Sequence, residues 1–184
     1  MLCVYQYGSR VYGVAKPDSD FDFVVIVTDN ASFDETLDTT QDRINIHIFR
    51  QSDFASKVTN NELQPLMMYF VPQQFVWRER WRLSNVFVSR QLLMKTVHKG
   101  ASRHFHSGAK RLFTKERAPI KAKKWISYAL RDLLLGMQLV KHSRIVDYTV
   151  ANQYFHQLMS DPSDQWDHYK KKWEPLYEQL KNIS

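Results

Sequence analysis

Hydrophobic spacing changes character part-way along the chain. Leu2-Cys3-Val4-Tyr5 is a short apolar run that stops at Gly8-Ser9, a turn signal, and predicts a strand. The run Phe23-Val24-Val25-Ile26-Val27 is β-branched and unbroken, which predicts a strand over 21–27 covered on both faces. Ile44, Ile46 and Ile48 alternate with Asn45, His47 and Phe49, so a third strand with one apolar face is expected there. The polar, acidic stretch 28–42 reads as a loop with room for one helical turn.

From Ser52 onward the period becomes helical. Ser52 is a candidate cap for a helix through Lys57, and Asn60-Asn61 can start another that runs to Phe70 and ends at Pro72. After Leu83 the chain reads as helical almost to its end. Ile126, Leu130, Leu133, Met137 and Val140 recur at helical spacing and predict a core-facing stripe. Asp147 is a candidate cap for a helix over 149–159; Asp161-Pro162 opens a last helix, in which Pro175 predicts a kink. The expected fold class is α+β: a small mixed sheet over residues 1–84, then a helical lobe over 85–184.

Composition narrows the range of partners. Hydrophobic residues make up 43% and charged residues 24%, the balance of an ordinary globular protein. Net charge is +7, and the excess is uneven. Between Lys95 and Lys124 many cations face the single acid Glu116, so an anionic partner is expected. Cys3 is the only cysteine, which excludes an intramolecular disulfide and suits a reducing compartment. There is no basic-then-apolar leader, and no apolar run nears the roughly 20 residues that span a bilayer. The expectation is an intracellular protein, cytoplasmic or nuclear, with no membrane partner. His98, His104 and His106 lack the spacing of a zinc site and read as surface histidines.

The candidate chemistry lies near the start. Tyr7-Gly8-Ser9-Arg10-Val11-Tyr12-Gly13 is followed by Pro17-Asp18-Ser19-Asp20-Phe21-Asp22 and then by the apolar strand. Asp20 and Asp22 are two residues apart at the mouth of that strand, so they share a face. Paired carboxylates repel unless they share a cation, and Mg²⁺ or Mn²⁺ suits them. Gly8 lets the backbone turn sharply, and Ser9 brings a hydroxyl and N–H groups to where a phosphate would sit. Either half alone is commonplace; both in this order point to phosphoryl or nucleotidyl transfer.

Gly-Ser, a spacer, and Asp-x-Asp opening a strand resemble the signature of the DNA polymerase β-like nucleotidyltransferase superfamily. The longer string through Phe21-Asp22 resembles the predicted nucleotidyltransferases grouped with the RNA-repair-associated RlaP proteins. Lys123-Lys124-Trp125-Ile126-Ser127-Tyr128-Ala129-Leu130-Arg131 is similar to a segment of their helical lobe, and 145–152 to a further stretch of relatives. The resemblance implies a nucleotidyltransferase core followed by a helical lobe, with Asp20 and Asp22 as catalytic metal ligands. Gly8, Ser9 and Arg10 would then engage the β- and γ-phosphates of a nucleoside triphosphate such as ATP. Lys124 and Arg131, seven apart and so on one face of the expected helix, would reach the triphosphate or the acceptor strand, or else lie on a solvated face.

One departure bears on activity. Where superfamily members place a third carboxylate, this chain has Asn45, which cannot serve as a general base. Asp42 and Glu62 are the candidate replacements in sequence. The expected activity is transfer of a nucleoside monophosphate to an acceptor hydroxyl, an RNA end by resemblance. A protein hydroxyl is the enzymatic alternative. A degenerate relative that binds nucleotide or RNA without turnover is the non-enzymatic one. The basic run from Lys95 to Lys124 would then be an RNA track, with Phe105, Phe113 and Trp125 available for stacking.

Overall fold

The computed structural model describes residues 1–32 and 43–183. These fall into two compact units, Met1–Val88 and Ser89–Ser184. The first holds a four-stranded mixed sheet; the second is helical.

In the first unit the strands are β1 (Cys3–Tyr7), β2 (Phe21–Val27), β3 (Ile44–Arg50) and β4 (Val76–Glu79), in the spatial order β3-β2-β1-β4. β1 runs antiparallel to β2 and β4, while β2 and β3 are parallel. Helices α1 (Gln51–Thr59) and α2 (Leu63–Tyr69) follow β3. The register aligns Cys3 with Ile26 and Ile26 with Phe49, and all three are buried. Phe49 meets Phe54 of α1 edge-on, so this is the helix-facing side of the sheet. Each of these large apolar side chains contributes roughly 1.5–3 kcal/mol by leaving water.

Two sequence expectations change here. β2 is not covered on both faces: Val24 and Ile26 are buried, but Phe23 and Val25 are half-exposed. In β3 the isoleucines lie on the opposite side from Phe49, and Ile46 is 40% exposed. The alternation in β3 is real, but helix α1 packs on the Phe49 face, and His47 of the same face stays exposed. β4 was not expected, being only four residues long and carried by its pairing with β1.

The start of α1 also differs. Its N-cap residue is Arg50, and Ser52 lies inside the helix. Ser52 donates both its N–H and its hydroxyl to Asp29, at 2.9 and 2.8 Å, so the capping carboxylate comes from just beyond β2. α2 begins at Leu63, later than Asn60-Asn61. Asn61 is buried with φ +57°, and its amide donates to the carbonyls of Val58, Thr59 and Phe87.

The second unit opens with a long helical span: α3 (Arg90–Ser102), a π-helix (Arg103–Ala109) and α4 (Lys110–Thr114). It continues through α5 (Pro119–His142), α6 (Asn152–Ser160) and α7 (Trp166–Ile183). Pro119 sits in the first turn of α5, and Ser143, at φ +53°, ends it in the left-handed region. The expected stripe buries Ile126, Leu130 and Leu133, while Met137 and Val140 are half-exposed. Asp147 bonds the N–H and hydroxyl of Thr149 as a turn, and α6 starts only at Asn152. α7 continues through Pro175.

The π-helix has a packing role. Phe105 stacks on Tyr177 at 4.7 Å, and Phe113 stacks on Tyr169 at 4.8 Å. In a regular α-helix a separation of eight residues overshoots two turns by roughly 80°; the wider π turn absorbs part of that excess. Both rings are therefore core residues and are not available to stack on bases. Trp125 lies against Gly108, where a Cβ would stand 1.8 Å from its ring.

Asp161 joins α6 to α7. Its side chain is 5% exposed and accepts from Lys172 at 2.7 Å, His168 at 2.9 Å and the Ser163 N–H at 3.1 Å. Its carbonyl accepts from the buried Lys123. Burial alone would raise the Asp161 pKa, but the three donors outweigh it and hold the carboxyl well below the usual range. Asp161→Ala is expected to cost about 2 kcal/mol at neutral pH by urea unfolding. Because the folded-state pKa is depressed, that cost is full above pH about 4 and shrinks as pH falls further. An equal cost at pH 7 and well below pH 4 would show that the carboxylate does not carry it.

Candidate active site

Gly8 follows the last residue of β1 and has φ +76°, a conformation that glycine adopts without strain. The register places Tyr7 opposite Asp22. Gly8 therefore packs directly on the Asp22 carboxylate: a Cβ there would stand 2.0 Å from Oδ2 and 2.8 Å from Cγ. Only a hydrogen fits. A short 3-10 turn, Gly8–Arg10, carries the chain away, and the Gly8 carbonyl accepts from the N–H groups of Val11 and Tyr12. The Ser9 hydroxyl, half-exposed at this turn, has no hydrogen-bond partner among the described residues.

The return loop is braced. Lys16–Ser19 is a tight turn closed by Ser19 N–H to the Lys16 carbonyl and by Lys16 N–H to the Ser19 hydroxyl. Arg10 then reaches over it. Its Nη2 donates to the Ser19 carbonyl at 2.8 Å, its Nε to the Asp20 carbonyl at 3.3 Å, and the guanidinium lies 3.6 Å from the Phe21 ring centroid. Arg10 thus holds the backbone that carries Asp20, with N–H donors to spare. The Phe21 N–H donates to the Arg43 carbonyl at 2.7 Å and pins the mouths of β2 and β3 together.

Parallel pairing sets Asn45 beside Asp22, and its Nδ2 donates to Asp22 Oδ1 at 2.9 Å. A carboxylate only accepts, so the amide presents its nitrogen to Asp22 and keeps its carbonyl oxygen for another donor or a cation. Asp20 is exposed and Asp22 half-buried. Neither takes part in an ion pair among the described residues, although the chain carries net charge +7. Burial, and then the negative charge of Asp22, push the neighbouring Tyr7 phenol up to about 12, so it stays a neutral O–H. Tyr7 was not singled out in the sequence; its place opposite Asp22 follows from counting back across the β1–β2 hairpin.

Two unneutralised carboxylates with an amide oxygen nearby form a hard-oxygen donor set, and these residues fit Mg²⁺ or Mn²⁺. Among the described residues no cluster of three or more His, Cys, Asp or Glu side chains suited to a metal occurs. Glu62 pairs with Lys57 at 3.6 Å, just before α2. Asp42 lies outside the described residues.

Residues 1–74 match the family model described as polymerase beta, nucleotidyltransferase. The matched segment contains Gly8, Ser9, Arg10, Asp20, Asp22 and Asn45, together with β1 to β3 and both helices of the first unit. It supports the DNA polymerase β-like superfamily and a nucleotidyltransferase-like role, and such enzymes generally use divalent metal. No curated protein and no solved structure matches the chain. Among the described residues, no helix is long and apolar enough to cross a membrane.

Lys124 and Arg131 belong to α5 in the second unit. Lys124 is exposed; Arg131 is half-exposed, its guanidinium 4.7 Å from the Tyr128 ring centroid. Lys123, beside them in sequence, is buried and serves the Asp161 knot.

Two substitutions test this geometry. Gly8→Ala is expected to displace the Asp22 carboxylate and to add about 1–2 kcal/mol of left-handed strain, lowering the melting temperature. Asn45→Asp sets a second charge against Asp22 and removes its donor. It should lower the melting temperature without metal, and millimolar Mg²⁺ should restore more of the loss than it adds to wild type. Equal Mg²⁺ shifts in both proteins would place residue 45 outside any metal's reach.

Proposed function

We propose that this protein is a metal-dependent nucleotidyltransferase that moves a nucleoside monophosphate from a nucleoside triphosphate to an acceptor hydroxyl. The observation that carries this reading is the Asp22 carboxylate seated on Gly8, with Asp20 on a loop clamped by Arg10. Both acids lack ion-pair partners among the described residues.

In this reading Asp20 and Asp22 hold Mg²⁺ or Mn²⁺. The bound ion would neutralise triphosphate charge and make the α-phosphorus a better electrophile. Gly8 keeps the backbone low enough for a phosphate to approach, and the Ser9 hydroxyl donates to one of its oxygens. Arg10 positions the Asp20 loop and offers its remaining N–H groups to the β- and γ-phosphates. The acceptor oxygen forms a bond to the α-phosphorus as the bond to the bridging oxygen breaks, and pyrophosphate leaves. The hydroxyl proton goes to a base other than residue 45, because a carboxamide does not take it. Lys124 and Arg131, in the second unit, are assigned to phosphate binding.

The acceptor we favour is an RNA end, on the resemblance to the RNA-repair group and on the exposed cations Lys95, Lys99, Arg103 and Lys110 along the first helical span of the second unit. A second reading has its own support. The Asn45–Asp22 hydrogen bond occupies one Asp22 oxygen with a neutral donor, which suits a protein that binds nucleotide without turnover.

Replacing Asp20 and Asp22 together by Ala should abolish Mg²⁺-dependent triphosphate binding in calorimetry while the circular dichroism stays native. Unchanged affinity would refute the site. Pyrophosphate release, followed with RNA and with protein acceptors, separates the two readings: transfer requires turnover in wild type, and Asn45→Asp should raise the rate. RNA affinity should fall with salt, at a log–log slope of about 0.7 per phosphate contacted; a flat salt response would remove RNA as acceptor.

A further inference from the structure

The π-helix of the second unit presents a histidine. His104 lies one residue into it, and its Nδ1 is 3.1 Å from Asp132 Oδ2 on α5. The Asp132 side chain is 13% exposed and that of His104 is 29% exposed. Asp132 has no other side-chain partner among the described residues, and it lies close over Gly100, where a Cβ would stand 3.8 Å from Oδ2. A carboxylate only accepts, so Nδ1 carries the hydrogen and Nε2 is the free ring position. Nε2 has no hydrogen-bond partner among the described residues. The ring is fixed from two further sides: it meets Trp125 edge-on at 5.2 Å and Tyr128 at 6.0 Å.

Tyr128 is also the neighbour of Arg131, whose guanidinium lies over its ring at 4.7 Å. Lys124, Tyr128 and Arg131 are spaced four and then three residues apart, on one face of α5. Ile126, Leu130 and Leu133 form the buried face. The half-exposed side thus gathers an imidazole oriented by a nearly buried carboxylate, a guanidinium resting on an aromatic ring, and an exposed ammonium. A histidine needed only to tie two helices together would not require its second nitrogen to be left open. π turns inside longer helices are frequent at functional sites, because the widened turn re-aims side chains.

We propose that His104, Arg131 and Lys124 form a binding site for a terminal phosphate group, with Asp132 as the residue that positions His104. A phosphate oxygen at Nε2 is met by a donor in the imidazolium form, whose charge is balanced by Asp132 behind and by the phosphate in front. Arg131 supplies parallel N–H groups to a second oxygen, and Lys124 supplies a point charge. No covalent step is involved. The terminal phosphate can belong to a nucleotide or to the end of a polynucleotide. This rests on the assignment of Lys124 and Arg131 to phosphate made above, but not on the Asp20/Asp22 pair.

The test uses the full chain and follows the His104 ring nitrogens by nuclear magnetic resonance. Three probes are titrated: a 5′-phosphorylated oligoribonucleotide, the same oligonucleotide without the phosphate, and ATP without divalent metal. The expected result is a saturable shift of the His104 nitrogens with a phosphorylated probe and little with the unphosphorylated one. Response to the phosphorylated oligonucleotide alone names a polynucleotide end; response to ATP alone names a nucleotide. His104→Gln, which can still bond Asp132, should weaken that probe about tenfold, the loss of one charge-assisted contact. Asp132→Asn should change the ring-nitrogen resonances before any ligand is added and weaken binding as well. The shift should persist when Asp20 and Asp22 are both Ala, so failure here and failure of the metal site are separable. The inference is overturned if no probe moves the His104 nitrogens, if the unphosphorylated oligonucleotide moves them as strongly as the phosphorylated probes do, or if a folded His104→Gln variant binds as wild type.

Discussion

The candidate active site depends on the lack of a side chain at residue 8. The Gly8 α-carbon lies against the Asp22 carboxylate, and that contact fixes how β1 leaves the sheet, where Ser9 lies and how close a ligand can come to the acid. Pressing a carboxylate onto a backbone excludes water from one of its sides, a cost offset on the other side by the Asn45 amide. Arg10 completes the arrangement by clasping the Asp20 loop from outside while lying on Phe21. One missing methyl group, one amide and one guanidinium thus hold two acids at a strand mouth.

Much of this was legible in the sequence. The strand over 21–27 follows from five β-branched or aromatic apolar residues in succession, and the turn at Gly8 from the apolar run that ends there. The likeness of residues 7–22 to a nucleotidyltransferase signature agrees with the family match over 1–74. The resemblance put Asn45 at the position of a third carboxylate; its hydrogen bond to Asp22 was readable only once β2 and β3 were known to be parallel neighbours. The clamping role of Arg10 had no sequence signal beyond an arginine near an aromatic residue.

What was not legible depended on long-range pairing. β4 is too short for its own pattern to announce it and exists because β1 offers an edge. The isoleucines of β3 suggested an apolar inner face, whereas helix packing selected the face carrying Phe49. Phe105 and Phe113 looked free to stack on bases in a basic run, yet both are core rings set against α7. His104 and His106 read as surface histidines. In the structure His104 is held by Asp132, and His106 lies 3.8 Å from Glu174 and 3.9 Å from Glu178. Charge density along a chain does not reveal which neighbours a helix turns inward.

The π-helix holds one residue more than a regular helix needs for the same rotation. Removing one residue between Phe105 and Phe113 would let the span relax to a regular α-helix, in which the remaining seven-residue separation turns through roughly 700°, close to two full turns. Phe105 and Phe113 could then still both meet their partners on α7. His104 would turn from Asp132, or Gly108 from Trp125. Point substitutions along the exposed side leave both phase and aim untouched, while a single-codon deletion keeps the phase and alters the aim. In this stretch the extra letter decides where side chains point rather than how the helices pack.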